Sequence, residues 1–177
     1  TNVDKAEKEQ KLAIEINGES LKYLSEQLLK VDCKLIHFSS DYVFDGKKNL
    51  PYETVDKTNP INIYGKSKVI GEKYIKEILG DYGKGFIIRT SWLISPFGKN
   101  FVTKMIQLMN DNDQIKVIND QYSCPTSCED LATFCWKLLH FNSAIKDNSV
   151  NKKSIYHYCD SGIASWYELA MEVKKYA

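Results

Sequence analysis

The sequence lacks an excess of charge of either sign. Its 177 residues carry 24 Lys and Arg against 23 Asp and Glu, a formal net charge of +1. A chain this close to neutral has no broad positive field to recruit nucleic acid or an anionic membrane surface. Long apolar runs are also missing, since none approaches the roughly 20 residues that a membrane helix requires. We therefore expect a soluble protein, with neither nucleic acid nor membrane as a partner, that binds a small molecule.

Cysteine and histidine are few and irregularly spaced. The cysteines are Cys33, Cys124, Cys128, Cys135 and Cys159. An odd number of scattered cysteines does not form a disulfide framework, so we expect reduced thiols in a cytoplasm. Cys124 and Cys128 have no second pair to complete four zinc ligands, and the three histidines share no spacing. We predict no structural metal.

Short apolar runs alternate with segments of helical periodicity. The predicted strands are 34–39, 86–88, 115–118 and 155–158. The predicted helices are 4–16, a second one through 21–28 after a break at Asn17-Gly18, then 63–78, 101–109 and 128–140, and a last one opened by a capping box at 165–168. Asp4 is the expected cap of the first helix. This alternation predicts an α/β, doubly wound parallel sheet.

Tyr64 and Lys68 form a Tyr-x-x-x-Lys pair on the predicted helix 63–78. Four residues apart on a helix, the two side chains share one face. A nearby ammonium lowers the pKa of a phenol from its usual value of about 10, which suits proton exchange near neutral pH. The same pair is also typical of a solvated helix face, so its position in the fold decides its meaning.

Ser39, Ser40 and Asp41 lie where the first predicted strand ends. Open α/β sheets form their ligand crevice at the carboxyl ends of the strands. A hydroxyl at Ser40 can therefore hold a carbonyl oxygen beside Tyr64. The alternative is a turn or capping serine that bonds the nearby backbone.

Several ordered sequence strings are shared with one enzyme family. They are 38–46 (FSSDYVFDG), 64–68 (YGKSK), 89–92 (RTSW), 98–101 (GKNF) and 120–122 (DQY). With these strings, the sequence resembles the dTDP-4-dehydrorhamnose reductases, which are extended short-chain dehydrogenases. The resemblance implies a Rossmann-like fold and reduction of the 4-keto group of dTDP-4-dehydro-L-rhamnose by NADPH or NADH, in nucleotide-sugar and polysaccharide biosynthesis.

The resemblance also implies roles for individual residues. Tyr64 would donate a proton to the nascent alkoxide, Lys68 would hold the nicotinamide ribose and lower the pKa of Tyr64, and Ser40 would bind the substrate carbonyl. Further contacts are implied with the cofactor for Ser39 and Thr1, and with the sugar nucleotide for Asp41, Tyr42, Trp92 and Val3. Trp92 is equally well explained as a core residue.

One acidic residue matches a metal position of some relatives. Glu129 lies where these relatives bind Mg²⁺ at a homodimer contact, which makes Mg²⁺ and a homodimer conceivable here. A carboxylate also suits the first turn of the helix that Glu129 begins.

The resemblance further implies that both ends of the sequence are truncated. The glycine-rich phosphate-binding loop that opens such folds does not precede Thr1, and further substrate-binding elements are expected after Ala177. We expect residues 1–95 to form part of the cofactor-binding region with the Tyr/Lys helix, and residues 96–177 part of a smaller substrate-binding region. An isolated fragment of this kind is expected to bind NAD(P)H poorly and to be inactive.

Two other functions stay open. One is a non-catalytic relative, such as the regulatory subunit of methionine adenosyltransferase, which shares the FSSDYVFDG string and the Tyr-x-x-x-Lys helix. The other is a reductase or epimerase for a different nucleotide sugar, because fold does not determine substrate. The sequence does not distinguish NADH from NADPH.

Overall fold

Three parallel strands form the sheet that carries the first part of the chain. A computed structural model describes residues 2–144 and 153–176. The strands of the whole described chain are β1 (Leu35–Ser40), β2 (Gly85–Thr90), β3 (Leu93–Ile94), β4 (Tyr122–Ser123), β5 (Thr126–Ser127), β6 (Ile155–His157) and β7 (Ala164–Ser165). The helices are α1 (Val3–Lys8), α2 (Gln10–Ile14), α3 (Ser20–Lys30), α4 (Ile63–Leu79), α5 (Phe101–Asp111), α6 (Cys128–Ala144) and α7 (Trp166–Tyr176). The described residues form two compact units, 2–90 with 153–157, and 91–144 with 158–176.

The sheet of the first unit has the order β1-β2-β6, and both strand pairs are parallel. All six residues of β2 are buried, as expected of a strand inside an α/β sheet. Helix α4 packs on this sheet, and Ile75 joins Leu21 and Ile87 in a buried apolar cluster. The predicted α/β class with parallel strands is confirmed.

The predicted break between the first two helices is wrong. A π-helical turn (Glu15–Glu19) connects α2 directly to α3, and Asn17 and Gly18 within it are buried. The side-chain amide of Asn17 donates a 3.1 Å hydrogen bond to the Ser67 hydroxyl on α4. A Cβ atom on Gly18 would lie 2.8 Å from the Ile70 side chain. Gly18 therefore allows close helix packing here, so it does not end a helix.

The expected cap of the first helix is also wrong. Asn2 is the N-cap of α1, and its side chain accepts a 2.9 Å hydrogen bond from the Lys5 amide. Asp4 lies inside the first turn, where a carboxylate is favoured by the helix dipole.

In the second unit, α5 and α7 pack around Met105, Ala170 and Val173. Strands β3 and β5 pair in parallel, and β4 and β7 pair antiparallel. The predicted strand 115–118 does not form, because Val117 packs on the helical cluster and the Ile118 carbonyl accepts from the Tyr167 amide. The capping box at 165–168 is present, with the Ser165 and Glu168 side chains each accepting from the other residue's amide.

Two searches cover the described residues alone. None of the helices in residues 2–144 and 153–176 has the length and apolar character required to cross a bilayer. Within the same ranges, no three or more His, Cys, Asp or Glu side chains are grouped as metal ligands.

Candidate active site

Tyr64 lies in the first turn of α4, close to the end of β1. The Asn62 side chain caps this helix by accepting a 2.7 Å hydrogen bond from the Gly65 amide. The ring of Tyr64 meets the ring of Tyr42 edge to face, with centroids 5.8 Å apart. The absence of a side chain on Gly65 permits this approach, because a Cβ atom there would lie 2.1 Å from the Tyr42 carbonyl oxygen.

Ser40 ends β1 and caps the short 3₁₀ helix formed by Asp41–Val43. Its hydroxyl accepts from the Tyr42 amide at 3.2 Å and donates to the Asp41 carboxylate at 2.9 Å. The Ser40 hydroxyl also lies near the Tyr64 phenol, and its hydrogen-bonding effect lowers the pKa of that phenol. Ser40 is therefore both a capping serine and a neighbour of the phenol, so the two interpretations from the sequence do not exclude each other.

Lys68 follows Tyr64 by one helical turn. Its Nζ donates a 3.0 Å hydrogen bond to the carbonyl oxygen of Phe38 and lies 5.8 Å from the centroid of the Tyr64 ring. Burial lowers the pKa of Lys68, and the negative charge of Glu72 acts in the opposite direction. The helix thus places the phenol and the ammonium along one face against β1, as the spacing predicts.

The expected lowering of the Tyr64 pKa is not found. Burial raises this pKa above its usual value of 10, and the charges of Asp41 and Tyr42 add to the increase, while the hydrogen bond with Ser40 opposes it. The ammonium of Lys68 is directed to the Phe38 carbonyl and does not contact the phenol oxygen closely enough to outweigh desolvation. Tyr64 is therefore protonated at neutral pH.

Beneath these residues lies a buried ion pair between Glu72 and Arg89 that the sequence did not reveal. The side chains of Arg89 and Glu72 are only 5% and 6% exposed. Two hydrogen bonds join them, from Arg89 Nε to Glu72 Oε1 at 2.9 Å and from Nη2 to Oε2 at 2.7 Å. The hydroxyl of Ser39 donates to the same Oε1 at 2.5 Å. The available signal was that both charged residues lie in apolar surroundings, Glu72 one turn beyond Lys68 and Arg89 within a buried strand.

Ser39, proposed from the sequence as a cofactor contact, has a side chain that is 4% exposed and bonded to Glu72. Asp41 and Tyr42 lie beside Ser40, as described above. Val3 is the first residue of α1 and is half-buried. Thr1 lies outside the described residues.

Trp92 and Glu129 belong to the second unit. Trp92 is half-buried, has a positive φ of 39°, and stacks on Trp166 with ring centroids 3.5 Å apart. Phe101 packs on the other side of this pair, 4.4 Å from the Trp166 ring. Glu129 is exposed in the first turn of α6, and no described residue joins it in a metal-binding group.

Known proteins match this chain over its whole length. The family model described as "RmlD substrate binding domain" matches residues 1–177. A dTDP-4-dehydrorhamnose reductase of Sinorhizobium fredii is 38% identical over 173 residues, which is 98% of this chain and 57% of that protein. The chain thus spans little more than half the length of this curated relative.

Two solved structures have the same fold. The crystal structure of a dTDP-4-dehydrorhamnose reductase from Clostridium acetobutylicum superposes with a TM-score of 0.88 at 36% identity, over 99% of this chain and 58% of that one. That of Bacillus anthracis, in complex with NADP, has a TM-score of 0.86 at 38% identity, over 99% and 59%. The Rossmann-like fold implied by the sequence strings is confirmed. The chain belongs to the RmlD substrate-binding-domain family.

Proposed function

We propose that the protein containing this chain reduces the 4-keto group of dTDP-4-dehydro-L-rhamnose to give dTDP-L-rhamnose, with NADPH or NADH as the cofactor. The main observation in support of this reaction is that the Tyr64 phenol lies near the Ser40 hydroxyl at the end of β1. Lys68 follows one turn further along α4. Relatives of similar sequence carry the name of this reductase.

Tyr64 would act as the proton donor. Reduction of a ketone leaves an alkoxide that must be protonated, so the donor has to hold its proton in the resting enzyme. The raised pKa of Tyr64 keeps the phenol protonated at neutral pH. Ser40 would turn its hydroxyl from Asp41 to the carbonyl oxygen of the substrate, since a hydroxyl has one proton and rotates freely.

Lys68 would bind the ribose of the cofactor. An ammonium carries three N–H donors, and one hydrogen bond of Lys68 is directed to the Phe38 carbonyl. The remaining donors on a half-buried side chain suit the ribose hydroxyls. A bound reduced nicotinamide supplies the hydride. The side chain of Ser39 is committed to Glu72, so a cofactor contact by this residue would use its backbone.

Asp41 and Tyr42 would contact the sugar nucleotide. Trp92 offers a half-buried aromatic surface of the kind that nucleotide and sugar rings contact. We propose that residues 1–95 supply the cofactor-binding and catalytic part, and residues 96–177 the substrate-binding part. A role in polysaccharide biosynthesis is suggested by a 38% identical relative named "Spore coat polysaccharide biosynthesis protein SpsK".

The test is turnover by the full-length protein. NAD(P)H absorbance is followed with dTDP-4-dehydro-L-rhamnose, using the native protein, Tyr64→Phe and Lys68→Met. We expect Tyr64→Phe to lower kcat by about 10²-fold or more with cofactor binding retained, because only the proton donor is lost. Lys68→Met should weaken cofactor binding as well. Tyr82→Phe is the matched control, since Tyr82 is exposed and outside the site.

Three outcomes separate the alternatives. Oxidation that disappears in Tyr64→Phe supports the proposed reductase. Oxidation with UDP- or GDP-linked keto sugars alone identifies a different nucleotide-sugar enzyme. A folded protein that binds NAD(P)H and reduces none of these sugars refutes the catalytic proposal and favours a regulatory relative.

A further inference from the structure

The Glu72–Arg89 ion pair connects α4 to two strands at one level of the sheet. Ser39 on β1 and Arg89 on β2 are direct partners in the strand register. The Glu72 carboxylate accepts one hydrogen bond from Ser39 and two from Arg89. The three hydrogen bonds accepted by Glu72 therefore form together only when α4 has one particular axial position and orientation relative to the strands. A shift of α4 by even part of a turn would break them.

This pair belongs to the same helix face as the proposed catalytic groups. Tyr64, Lys68 and Glu72 are spaced four residues apart, so they follow one another along α4. The Ser40 hydroxyl lies near the first, and the Phe38 carbonyl accepts a hydrogen bond from the second; both of these partners are on β1. Glu72 is the acidic member of the series, and its carboxylate accepts three hydrogen bonds. Its position on the sheet consequently fixes where Tyr64 and Lys68 lie.

Arg89 extends the connection to the loop that follows Asp41–Val43. Its guanidinium lies over the ring of Phe44, 5.1 Å from the centroid, and Phe44 stacks on Tyr52 with centroids 4.1 Å apart. The Tyr52 hydroxyl donates to Asp45 at 2.8 Å, and its carbonyl is 3.0 Å from Nδ1 of His157. The ion pair thus holds α4, two strands and this loop together.

The charges around Lys68 give Glu72 a second effect. His37 faces Lys68 from β1, and burial together with the Lys68 charge lowers its pKa to about 4, so it is neutral at pH 7. Tyr64 is protonated, as shown above. Among the groups of the described chain that act on Lys68, Glu72 is the negative one, and it opposes the loss of the ammonium proton on burial.

Stability alone does not explain such a pair. A buried ion pair stabilises a protein no more than well-packed apolar side chains of similar volume, although removal of one partner is costly. Buried polar groups have another role in some proteins, where they specify a single arrangement of the helices and strands around them.

We propose that Glu72, paired with Arg89, is a positioning residue that sets the location of Tyr64 and Lys68 against β1. This inference rests on the proposed catalytic role of those two residues. It assigns Glu72 no contact with substrate or cofactor.

The experiment compares three variants of the full-length protein. Glu72→Gln removes the charge and leaves Arg89 buried without its counterion, so it can fail to fold. Glu72→Met/Arg89→Met removes both charges and is expected to fold. Glu77→Gln is the matched control, because Glu77 forms an exposed pair with Lys73 on the same helix. Folding is followed by thermal unfolding, and kcat and KM by NAD(P)H absorbance.

A second readout does not require turnover. The Lys68 and Tyr64 titrations are followed by NMR of ¹³C-labelled lysine and tyrosine, with Lys68→Met and Tyr64→Phe identifying the signals. In the double Met variant we expect kcat to fall roughly tenfold to a hundredfold with KM changed less than about threefold, as expected when only the geometry of reacting groups is lost. In Glu72→Gln the Lys68 titration should move to lower pH. Glu77→Gln should match the native protein in every measurement.

The outcomes distinguish this inference from the proposed function. A stable double Met variant with native kcat and native Tyr64 and Lys68 titrations overturns the positioning role. A native protein that reduces no keto sugar overturns the proposed function instead. In that case the Tyr64 and Lys68 titrations alone test the positioning role. Titration curves that differ between the double Met variant and the native protein support it, and identical curves refute it.

Discussion

Substitution of Gly65 by alanine provides a direct test of the geometry between α4 and the Ser40 region. At a solvent-exposed helix position, replacing glycine by alanine stabilises the protein by up to about 1 kcal/mol, because glycine loses more backbone entropy on folding. Here the new Cβ atom would lie 2.1 Å from the Tyr42 carbonyl oxygen and 2.9 Å from the Pro60 Cβ, whereas real Cβ atoms keep at least 3.0 Å. The two backbones must therefore separate.

The steric cost should exceed the propensity gain. Overpacking of an interior costs typically 1–3 kcal/mol, and a backbone carbonyl yields less readily than a side chain, so the upper part of that range applies. Against a gain of at most about 1 kcal/mol, we expect Gly65→Ala to lower the free energy of unfolding by about 1–2 kcal/mol. The displacement should also separate Tyr64 from Ser40 and lower kcat.

The assay is urea unfolding monitored by circular dichroism, with the adjacent exposed residue as a reference. Lys66→Ala and Lys66→Gly measure the propensity difference between alanine and glycine in the same turn without a steric contact, since Lys66 is exposed. If Gly65→Ala stabilises by the difference that the Lys66 pair shows, the close approach of the Tyr42 carbonyl is refuted.

Two further predictions concern acid stability and the second unit. The pKa of His37 is about 4, lowered by burial and by the Lys68 charge, against 6.5 when unfolded. Its stabilising contribution is complete above pH 6.5 and is lost as the pH falls towards 4, so His37→Leu should remove up to about 3 kcal/mol of the pH dependence of unfolding between pH 7 and 4. Parallel pH profiles of the native protein and the variant would contradict this. Trp166→Leu should abolish the near-ultraviolet dichroism of the stacked Trp92–Trp166 pair at a cost of about 1 kcal/mol, whereas the exposed Trp136→Leu should not. Unchanged dichroism in Trp166→Leu would show that the rings do not stack.

The elements that sequence reasoning predicted are those with a strong local signal. Strand β2 contains the apolar run Phe86-Ile87-Ile88, and α4 has apolar residues at helical spacing between an Asn cap and Gly80. Once that helix is predicted, its period of 3.6 residues places Tyr64 and Lys68 on the same face. The strand predicted at 115–118 does not form, and Val117 packs on a helical cluster instead, which a short stretch of sequence does not reveal.

The parts that could not be predicted depend on contacts between distant segments. Glu72 and Arg89 both lie near apolar residues in the sequence, but their pairing follows only from the packing of α4 on β2. The break expected at Gly18 is likewise explained by packing on Ile70, 52 positions later in the chain. Glycine has two uses, a flexible hinge and a close contact, and the local sequence does not distinguish them.

The direction in which the Tyr64 pKa shifts could not be predicted from the sequence for the same reason. The sequence identified a cation one turn away but contained no information on how deeply the phenol is buried, and burial proves the larger effect. For the proposed reduction this direction is the useful one, because a donor must be protonated before the reaction. The ammonium of Lys68 matters after the proton has left, when a phenolate would stand beside a half-buried cation. The charge on Glu72 favours the ammonium form of Lys68, so loss of this charge should weaken the stabilisation of the phenolate that forms during the reaction.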